Sequence, residues 1–447
     1  MSTWYEKAVF YHMYPLGMTG APKQNTEDKT VNRFEELEKW IPHIKDLNCS
    51  AIYIGPLFES STHGYDTKDF NIIDRRLGTN EDFKAFVSLC HKSGIKVVVD
   101  GVFNHTGREF FAFKSLQAEG ADSPYCGWYK GVNFGPHSPM GDPFTYESWR
   151  GIWELACLNL QNPDVKQYLF DVIRFWVSEF EIDGIRLDCA NVLDFQFMKE
   201  LRCLADAVKP DFWLMGEVIH GEYSRFVNHE MLHSVTNYEL HKSIYSAHND
   251  HNYFELCHNV KRLQDVGRYL YTFADNHDED RIASKLLNRE HLKPLYTLLF
   301  TLPGIPSLYY GSEWGIEGRR SRTSDDVLRP AVEADSLDER ENDLSGFISH
   351  LGKIHTEEAA LHGGFYTELL ITNRQYAFSR TGEGNMLIIA ANNDDDKAAL
   401  SIPVPPTAAN HKAVDLLTNT IHPIESNKIN IELKGNDAVI LKITEED

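Results

Sequence analysis

The sequence lacks closely spaced pairs of cysteines and has little positive charge. Its seven cysteines are scattered and form no CxxC pair, which argues against a disulfide framework or a zinc ribbon and fits a reducing compartment. Lysine and arginine total 44 against 66 aspartate and glutamate residues, a formal net charge of −22 with no basic stripe. Because such a chain repels phosphate backbones, we expect no nucleic-acid partner and instead a neutral or cationic small ligand.

Signals for secretion and for membrane insertion are also lacking. The N-terminal segment MSTWYEKAVF carries two charges and no apolar core, so it does not resemble a signal peptide. The uncharged stretch 294–312 is nominally long enough to cross a bilayer. It is broken by Pro303, Gly304 and Pro306, which predicts a buried helix, a turn and a buried strand instead. We therefore predict a cytoplasmic protein without membrane attachment.

Most of the chain alternates short, β-rich apolar runs with segments of helical period. Eight runs are candidate strands: 8–15, 50–57, 96–103, 184–190, 213–218, 233–239, 269–276 and 306–313. Strands that are apolar on both faces and separated by helices form parallel sheets. Eight such units over roughly 350 residues predict an α/β fold of the closed (β/α)8 TIM barrel type rather than a doubly wound sheet.

Two regions break this alternation. Residues 106–159 follow the third predicted strand and are rich in glycine, proline and aromatic residues without a helical period, so we expect a functional insertion domain. From residue 363 onward, short strands alternate with turns, which predicts a C-terminal antiparallel β-sandwich. The predicted division is a barrel over 1–105 and 160–362, an insertion over 106–159 and a sandwich over 363–447.

Polar side chains gather at the ends of four predicted strands, where a TIM barrel places its active site. They are Asp100, Asn104 and His105 on the third strand, Arg186 and Asp188 on the fourth, Glu217 on the fifth, and His277 and Asp278 on the seventh. Each of these sets alone is typical of a buried ion pair or a helix cap. Four sets at one rim indicate function, because uncompensated buried carboxylates cost several kcal/mol each.

Three carboxylates around one opening suit glycoside cleavage, in which one is the nucleophile, one the acid and then the base, and one stabilises the transition state. A retaining enzyme holds the first two about 5–5.5 Å apart. The ends of adjacent strands, about 4.8 Å apart, can meet that spacing. Arg186 points to the same side of its strand as Asp188 and would keep it ionised. Negative neighbours would raise the pKa of Glu217, as the acid requires.

The segments DGVFNH, GIRLD, GEV and FADNHD, in this order and on these strands, resemble the four signature regions of glycoside hydrolase family 13, the α-amylase family. The resemblance extends over essentially the whole chain. It implies that Asp188 is the nucleophile, Glu217 the general acid/base and Asp278 the third, stabilising carboxylate. It also implies a set of substrate-binding residues: His63, Tyr65, His105, Arg186, His277, Asp325 and Arg329.

The segments GYDTKDFNIID, YESWRGIWELACLN and RLDCANVLD resemble the neopullulanase, cyclomaltodextrinase and maltogenic amylase branch. This implies a retaining glycosidase that cleaves α-glucosidic bonds, mainly α-1,4, in maltooligosaccharides, cyclodextrins or related α-glucans. We expect the chain to lack the extra N-terminal domain used for dimerisation in that branch, and the oligomeric state stays open. Ile219 stands where the branch often has tryptophan. Cys157 replaces an acidic calcium ligand of many amylases, so we predict no cofactor and no metal although Asn104 remains.

Two other motifs suggest a metal. HEMLH, residues 229–233, matches the zinc-protease pattern HExxH, and Glu255 follows at a workable distance for a third ligand. However, His233 opens the sixth predicted strand, whereas the zinc site requires a helix. DNHDED, residues 275–280, resembles the start of a calcium loop, but Leu286 occupies the position of the closing glutamate. We expect neither site to form.

The insertion carries four aromatic residues that could form its core or stack on glucosyl faces: Trp128, Tyr129, Trp149 and Trp153. Cys189, beside the proposed nucleophile, is expected to be a buried barrel side chain rather than a reactive thiol. Two alternatives to hydrolysis stay open. One is transglycosylation, in which a sugar attacks the Asp188 ester, and the other is a catalytically inactive sugar-binding protein, which the three carboxylates argue against.

Overall fold

The computed structural model describes residues 3–321, 324–405 and 411–445. In chain order the strands are β1 (Phe10–Met13), β2 (Ala51–Ile54), β3 (Phe58–Ser60), β4 (Thr67–Ile73), β5 (Lys96–Gly101), β6 (His105–Gly107), β7 (Ser148–Trp149), β8 (Ile152–Cys157), β9 (Gly184–Leu187), β10 (Trp213–Gly216), β11 (Ser234–Val235), β12 (Tyr271–Phe273), β13 (Ile305–Tyr309), β14 (Phe365–Ile371), β15 (Gln375–Gly382), β16 (Asn385–Asn392), β17 (Ala398–Pro403), β18 (His411–Asp415), β19 (Ile421–Glu425), β20 (Lys428–Leu433) and β21 (Asp437–Glu445).

The α-helices, in chain order, are α1 (Pro15–Met18), α2 (Phe34–Glu38), α3 (Trp40–Asp46), α4 (Asn80–Lys92), α5 (Phe111–Glu119), α6 (Pro163–Phe180), α7 (Phe195–Val208), α8 (Tyr238–Asn249), α9 (Phe254–Arg262), α10 (Ile282–Lys285), α11 (Leu292–Thr301), α12 (Leu337–Arg340) and α13 (Asp343–Glu357). Within the three described stretches, no helix combines the length and the hydrophobicity that crossing a bilayer requires.

Eight parallel strands form the central barrel, and each of them overlaps one of the eight predicted runs. Their hydrogen-bonded order is β11, β10, β9, β5, β2, β1, β13 and β12. A bridge between Thr236 and Tyr271 joins the two ends of this order, and Asn237 N donates to the Tyr271 carbonyl at 2.8 Å. The predicted TIM barrel is therefore confirmed.

The sixth strand is shorter than the predicted run 233–239. Only two residues, Ser234 and Val235, belong to β11, and helix α8 begins at Tyr238. Asn237 is the reason, because its side chain accepts a hydrogen bond from Leu240 N at 2.9 Å and so caps the helix. A polar capping residue therefore ends the strand within the predicted run.

Helix α6 illustrates how the sequence encodes the outer layer. Asn162 caps its N-terminus by accepting from Asp164 N, and Pro163 occupies the first helical position, where its missing N–H costs nothing. The buried residues recur at helical spacing and pack towards the barrel: Val165, Leu169, Val172, Ile173, Trp176 and Phe180. The uncharged stretch 294–312 likewise forms part of helix α11, a turn and the buried strand β13.

The segment predicted as an insertion contains helix α5 and the antiparallel sheet β6–β8–β7. The sequence of this region shows no helical period, yet a helix forms there. Helix α5 has nine residues and buries Ala112, Phe113 and Leu116. Two turns carry too few apolar positions for a helical period to stand out among the surrounding aromatic residues.

The C-terminal strands β14–β21 form one antiparallel sheet in the order β14, β15, β16, β21, β18, β19, β20 and β17. The edge strands β14 and β17 approach each other, so the sheet folds over its own apolar core. That core includes Ala377, Ile388, Leu400, Ile402, Ile429 and Leu441. The predicted C-terminal antiparallel β-sandwich is confirmed.

Candidate active site

The two central carboxylates follow neighbouring strands of the barrel. In the parallel pairing of β9 with β10, Leu187 lies opposite Gly216, so the next residues, Asp188 and Glu217, emerge side by side at the carboxyl edge. Both side chains are buried, with each residue 6% exposed. A carboxylate oxygen of Asp188 lies within 4.8 Å of one of Glu217. This separation resembles the about 5–5.5 Å of retaining glycosidases, whereas inverting enzymes hold their carboxyl groups about 6.5–9.5 Å apart.

Gly216 allows this part of the barrel to pack closely. A Cβ atom at this position would lie 2.5 Å from Leu232 Cδ1 and 2.7 Å from Ala190 Cβ. Any side chain would therefore push β10 away from its neighbours and displace Glu217, the following residue. The glycine of the GEV segment is thus explained by close packing rather than by an unusual backbone angle.

Arg186 joins three buried carboxylates behind the opening of the barrel. Its Nη1 donates to Asp188 Oδ1 at 2.8 Å and to Asp100 Oδ1 at 2.9 Å, and its Nη2 lies 3.0 Å from Glu217 Oε1. Burial by itself would lower the pKa of Arg186, but Asp100 and Glu217 raise it well above its ordinary value. The guanidinium therefore stays charged and favours the ionised forms of Asp100 and Glu217.

Asp100 belongs to this cluster, although its role could not be predicted from the sequence. Its Oδ2 accepts hydrogen bonds from the hydroxyls of Tyr53 at 2.9 Å and Tyr65 at 3.1 Å. Burial raises the pKa of Asp100 to about 6, while Arg186 opposes the rise. The signal that could have identified it is register, because β5 pairs with β9 so that Asp100 lies directly opposite Arg186.

Glu217 is held on both of its oxygens. Cys189 N donates to Oε2 at 3.0 Å, and the Tyr238 hydroxyl approaches Oε1 at 3.5 Å. Burial raises the pKa of Glu217 to about 7, the negative charges of Asp188 and Asp278 act in the same direction, and Arg186 opposes them. The direction agrees with the sequence analysis, but burial, rather than the negative neighbours, is the larger cause.

Asp278 is anchored by Arg329. The Nη2 of Arg329 donates to Asp278 Oδ1 at 2.8 Å, and its Nε donates to the His277 carbonyl at 3.0 Å. The second oxygen of Asp278 lies 3.2 Å from His277 Nε2. Asp325 lies 3.7 Å from Arg329 and pairs more closely with Arg320, whose Nε is 2.8 Å from Asp325 Oδ1. Sequence reasoning missed Arg320.

Tyr65 links opposite sides of the opening. Its hydroxyl is 2.6 Å from His277 Nε2, and the two rings stack at 5.8 Å. Its carbonyl lies 3.1 Å from His105 Nε2, and its N–H donates to His63 Nδ1 at 3.2 Å. Burial lowers the pKa of all three histidines, so they are neutral at neutral pH.

His105 and His277, the two histidines predicted to bind the sugar, differ in whether a ring nitrogen is left without a protein partner. Both ring nitrogens of His105 have protein partners, since Nδ1 lies 3.1 Å from Asn104 Nδ2 and Nε2 contacts the Tyr65 carbonyl. His277 Nδ1 has no hydrogen-bond partner among the described residues. A hydrogen bond from His105 to a sugar would therefore replace or share an existing contact.

One open cleft of about 1080 Å³ lies over this cluster. Eight of the ten predicted site residues line it: His63, Tyr65, His105, Asp188, Glu217, Asp278, Asp325 and Arg329. Arg186 and His277, which are 3% and 2% exposed, lie behind these residues rather than in the wall. Further lining residues that the sequence did not assign include Tyr238, Arg150, Ile152 and Lys285. The chemistry-bearing residues thus meet at a surface that a ligand can reach.

Of the four aromatic residues of the insertion, Trp149 lines the cleft. Its ring is stacked on that of His105, with the ring centroids 6.2 Å apart. The Arg150 guanidinium lies over the Trp149 ring, 4.9 Å from its centroid. Trp128, Tyr129 and Trp153 instead pack against the apolar core. Sequence alone could not separate these cases, because both uses require large aromatic residues.

The alternative metal motifs do not assemble. Residues 229–233 are not helical, Glu230 is exposed and pairs with Lys199 at 2.6 Å, and His233 Nδ1 accepts from Leu214 N. The helical geometry that HExxH requires is therefore absent from this described segment. In DNHDED, Asp275 accepts from Ile282 N at 2.7 Å and so stabilises a turn.

The residues at the position of the amylase calcium site do not fit that ion. Calcium prefers carboxylate and carbonyl oxygens. Burial raises the pKa of the Cys157 thiol to about 11, so it stays protonated, and the Asn104 amide contacts His105. Asp188, Cys189 and Glu217 do have ligand atoms within 4.8 Å of one another, but the Arg186 cation already contacts both carboxylates.

Comparison with known proteins agrees with this geometry. Residues 24–346 match the family model described as the alpha amylase catalytic domain. Over 98% of its length the chain is 30% identical to a maltogenic alpha-amylase of Bacillus acidopullulyticus, of which it covers 78%. Over 93% of its length it is 27% identical to an intracellular maltogenic amylase of Bacillus subtilis, of which it covers 73%. A solved cyclomaltodextrinase structure superposes with a TM-score of 0.88 at 26% identity, over 99% of this chain and 78% of that chain. The chain therefore belongs to the α-amylase family, glycoside hydrolase family 13, and is a glycosidase.

Proposed function

We propose that the protein is a retaining hydrolase of α-glucosidic bonds, mainly α-1,4, in maltooligosaccharides, cyclodextrins or related α-glucans. One observation carries this proposal: the carboxylates of Asp188 and Glu217 approach within 4.8 Å of each other at an open cleft. The names of its relatives, a maltogenic alpha-amylase and a cyclomaltodextrinase, support the substrate class.

In the first step, Asp188 attacks the anomeric carbon and forms a covalent ester. Arg186 contacts Oδ1, which leaves Oδ2 as the attacking oxygen. As the bond to the departing sugar breaks, its oxygen takes the proton of Glu217. The raised pKa of Glu217, about 7, keeps a substantial fraction of this group protonated at neutral pH, where an ordinary glutamate is ionised.

In the second step, the ionised Glu217 removes a proton from water, and the water oxygen attacks the same anomeric carbon. The ester bond breaks, Asp188 leaves as a carboxylate, and Glu217 is again protonated. Asp278, fixed by Arg329, stabilises the positive charge that develops on the sugar in both transition states. Tyr65, His63, His105 and Asp325 surround the sugar that reacts.

The decisive test is digestion of maltotriose, β-cyclodextrin, pullulan, starch and isomaltose, followed by product identification. The wild type should release maltose or glucose of retained configuration from the α-1,4 substrates. Asp188→Asn and Glu217→Gln should each abolish turnover while the far-UV circular dichroism spectrum stays unchanged. Ordinary activity in either variant would contradict the assignment. Binding without turnover by the wild type would favour a catalytically inactive sugar-binding protein.

A second candidate is transglycosylation on the same site, in which a sugar hydroxyl replaces water. The observation in its favour is the partly apolar wall of the cleft, where Trp149, Ile152 and Ile219 lie. Trp149→Ala should lower the ratio of transfer to hydrolysis products at high maltotriose, because stacking on aromatic rings retains the acceptor. Trp153→Ala, which removes a tryptophan of the same insertion packed against the core, is the matched control.

We also infer a cytoplasmic location and no nucleic-acid or membrane partner. The support is the set of free cysteines, the acidic charge and the relative named as an intracellular amylase. We further propose that the chain divides into the barrel, the insertion and the sandwich at residues 105, 159 and 362. Cell fractionation with an antibody tests the location, and limited proteolysis tests the boundaries.

A further inference from the structure

We propose that Cys189 is a positioning residue that holds both catalytic carboxylates, the nucleophile through its thiol and the acid/base through its backbone N–H. This inference rests on the proposed function. Its basis is one pair of contacts: Cys189 Sγ donates to Asp188 Oδ2 at 3.1 Å, and Cys189 N donates to Glu217 Oε2 at 3.0 Å. One residue thus reaches each member of the pair.

The backbone of Cys189 makes this double contact possible. Successive side chains of an extended strand point to opposite faces, so Cys189 would normally point away from Asp188. Instead Cys189 has φ 50° and ψ 36°, the left-handed conformation that few residues other than glycine adopt. This turn ends β9 and brings the thiol and the side chain of Asp188 to the same side. The conformation costs free energy, which indicates that the surrounding contacts fix it.

The thiol contacts the oxygen that matters most for the first step. Asp188 Oδ1 is bound by Arg186, so Oδ2 is the oxygen that attacks the sugar. Burial raises the pKa of the Cys189 thiol, so the sulfur keeps its proton and can donate it. A thiol is a weak donor. It can orient Oδ2 toward the cleft, a role that a hydroxyl group at the same position could also fill.

The competing explanation is that Cys189 merely fills space. It is 8% exposed, and buried cysteines often serve as small apolar residues. The two explanations predict opposite orders for two substitutions. If packing matters, Cys189→Ala is tolerated at least as well as Cys189→Ser, because alanine buries no hydroxyl. If the hydrogen bond donated to Asp188 matters, Cys189→Ser retains the activity that Cys189→Ala loses. Both variants keep the backbone N–H, so they isolate the thiol.

The test compares wild type, Cys189→Ala and Cys189→Ser on maltotriose, with Cys90→Ala as the control. Cys90 is fully buried in helix α4 and is remote in sequence from the catalytic residues. We expect Cys189→Ala to lower kcat about fivefold to twentyfold with little change in KM. The acidic limb of its kcat/KM profile should move up by about half a pH unit, because a donor to an ionised carboxylate is lost. Cys189→Ser should stay within about threefold of wild type.

An infrared measurement makes the contact testable without activity. The difference spectrum of wild type minus Cys189→Ser isolates the S–H stretching band of Cys189. It should lie at the low-frequency, hydrogen-bonded end of the thiol range and should shift in Asp188→Asn. A wild-type pH profile and kcat in Cys189→Ala, or a band that Asp188→Asn leaves unmoved, would overturn the proposal. Failure of the wild type to hydrolyse glucans would refute the proposed function but leave the infrared test valid.

Discussion

Arg186 and Asp100 form a buried ion pair directly behind the cleft. Arg186 Nη1 lies 2.9 Å from one Asp100 oxygen and 3.2 Å from the other, and the two side chains are 3% and 0% exposed. The same guanidinium also contacts Asp188 and Glu217. Asp100 therefore supplies part of the negative charge that makes a buried arginine tolerable in the centre of the barrel.

Asp100→Asn should destabilise the protein and reduce its activity. The substitution keeps the shape and an acceptor for the Tyr53 hydroxyl but removes a charge facing buried Arg186. Breaking a buried pair on one side costs about 3–5 kcal/mol. We expect a loss of this order in the free energy of unfolding, measured by urea titration. Glu179→Gln is the control, because Glu179 forms an exposed pair with Lys84 and should change stability by less than about 1 kcal/mol. Equal losses in both variants would contradict the prediction.

The alkaline limb of kcat/KM should report the proton of Glu217. Since the pKa of Glu217 is about 7, kcat/KM on maltotriose should fall tenfold per pH unit once the pH is well above that value. α-Maltosyl fluoride provides a chemical control. Fluoride leaves without being protonated, so the kcat/KM profile for α-maltosyl fluoride should lack the alkaline limb. An alkaline limb beyond pH 9 for maltotriose, or identical limbs for the two substrates, would rule out this role of Glu217.

Stability should fall as the pH drops below about 6.5. Burial lowers the pKa of His248 and of His355 to about 3, so the folded protein excludes protons that the unfolded chain takes up. The unfolded state then binds more protons, and stability decreases with decreasing pH. Each histidine should cost about 2 kcal/mol at pH 5. His355→Gln should reduce the difference between the free energies of unfolding at pH 7 and pH 5, both measured by urea titration. Exposed His137 gives the control variant, His137→Gln, which should retain the full dependence.

Removal of divalent cations should leave the enzyme active. Cys157 offers a protonated thiol at the position of the amylase calcium ligand, and the proposed steps use side chains alone. Dialysis against EDTA should therefore change neither the rate of maltotriose hydrolysis nor the midpoint of thermal unfolding. A calcium-requiring amylase treated in parallel verifies that chelation was complete. Loss of activity that calcium restores would show that the site exists.

Much of the barrel, and most of the side chains that meet at the cleft, could be predicted from sequence. Eight short apolar runs mark the strands, and polar residues at their ends, such as Asp188 and Glu217, mark the opening. These signals are local, because both depend on the order of residues along one strand. Four site residues lie outside the strand ends and required resemblance to known proteins rather than physical reasoning: His63, Tyr65, Asp325 and Arg329.

What the sequence could not predict depends on contacts between distant segments. The role of Asp100 follows from the register of β5 against β9, and burial as the main cause of the raised Glu217 pKa follows from packing. Helix α5 was missed because two turns carry too weak a pattern. Trp149 could not be told from Trp128, since the choice between cleft and core depends on how the whole insertion folds.

The position of Tyr65 has a consequence for protein engineering. This single hydroxyl contacts Asp100 at the end of β5 and His277 after β12, while the tyrosine itself belongs to the turn between β3 and β4. A barrel strand and two loops that are far apart along the chain therefore meet at one hydroxyl group. Exchanging either loop with that of a relative, in order to alter substrate choice, would succeed only if Tyr65, His277 and Asp100 are kept as a matched set.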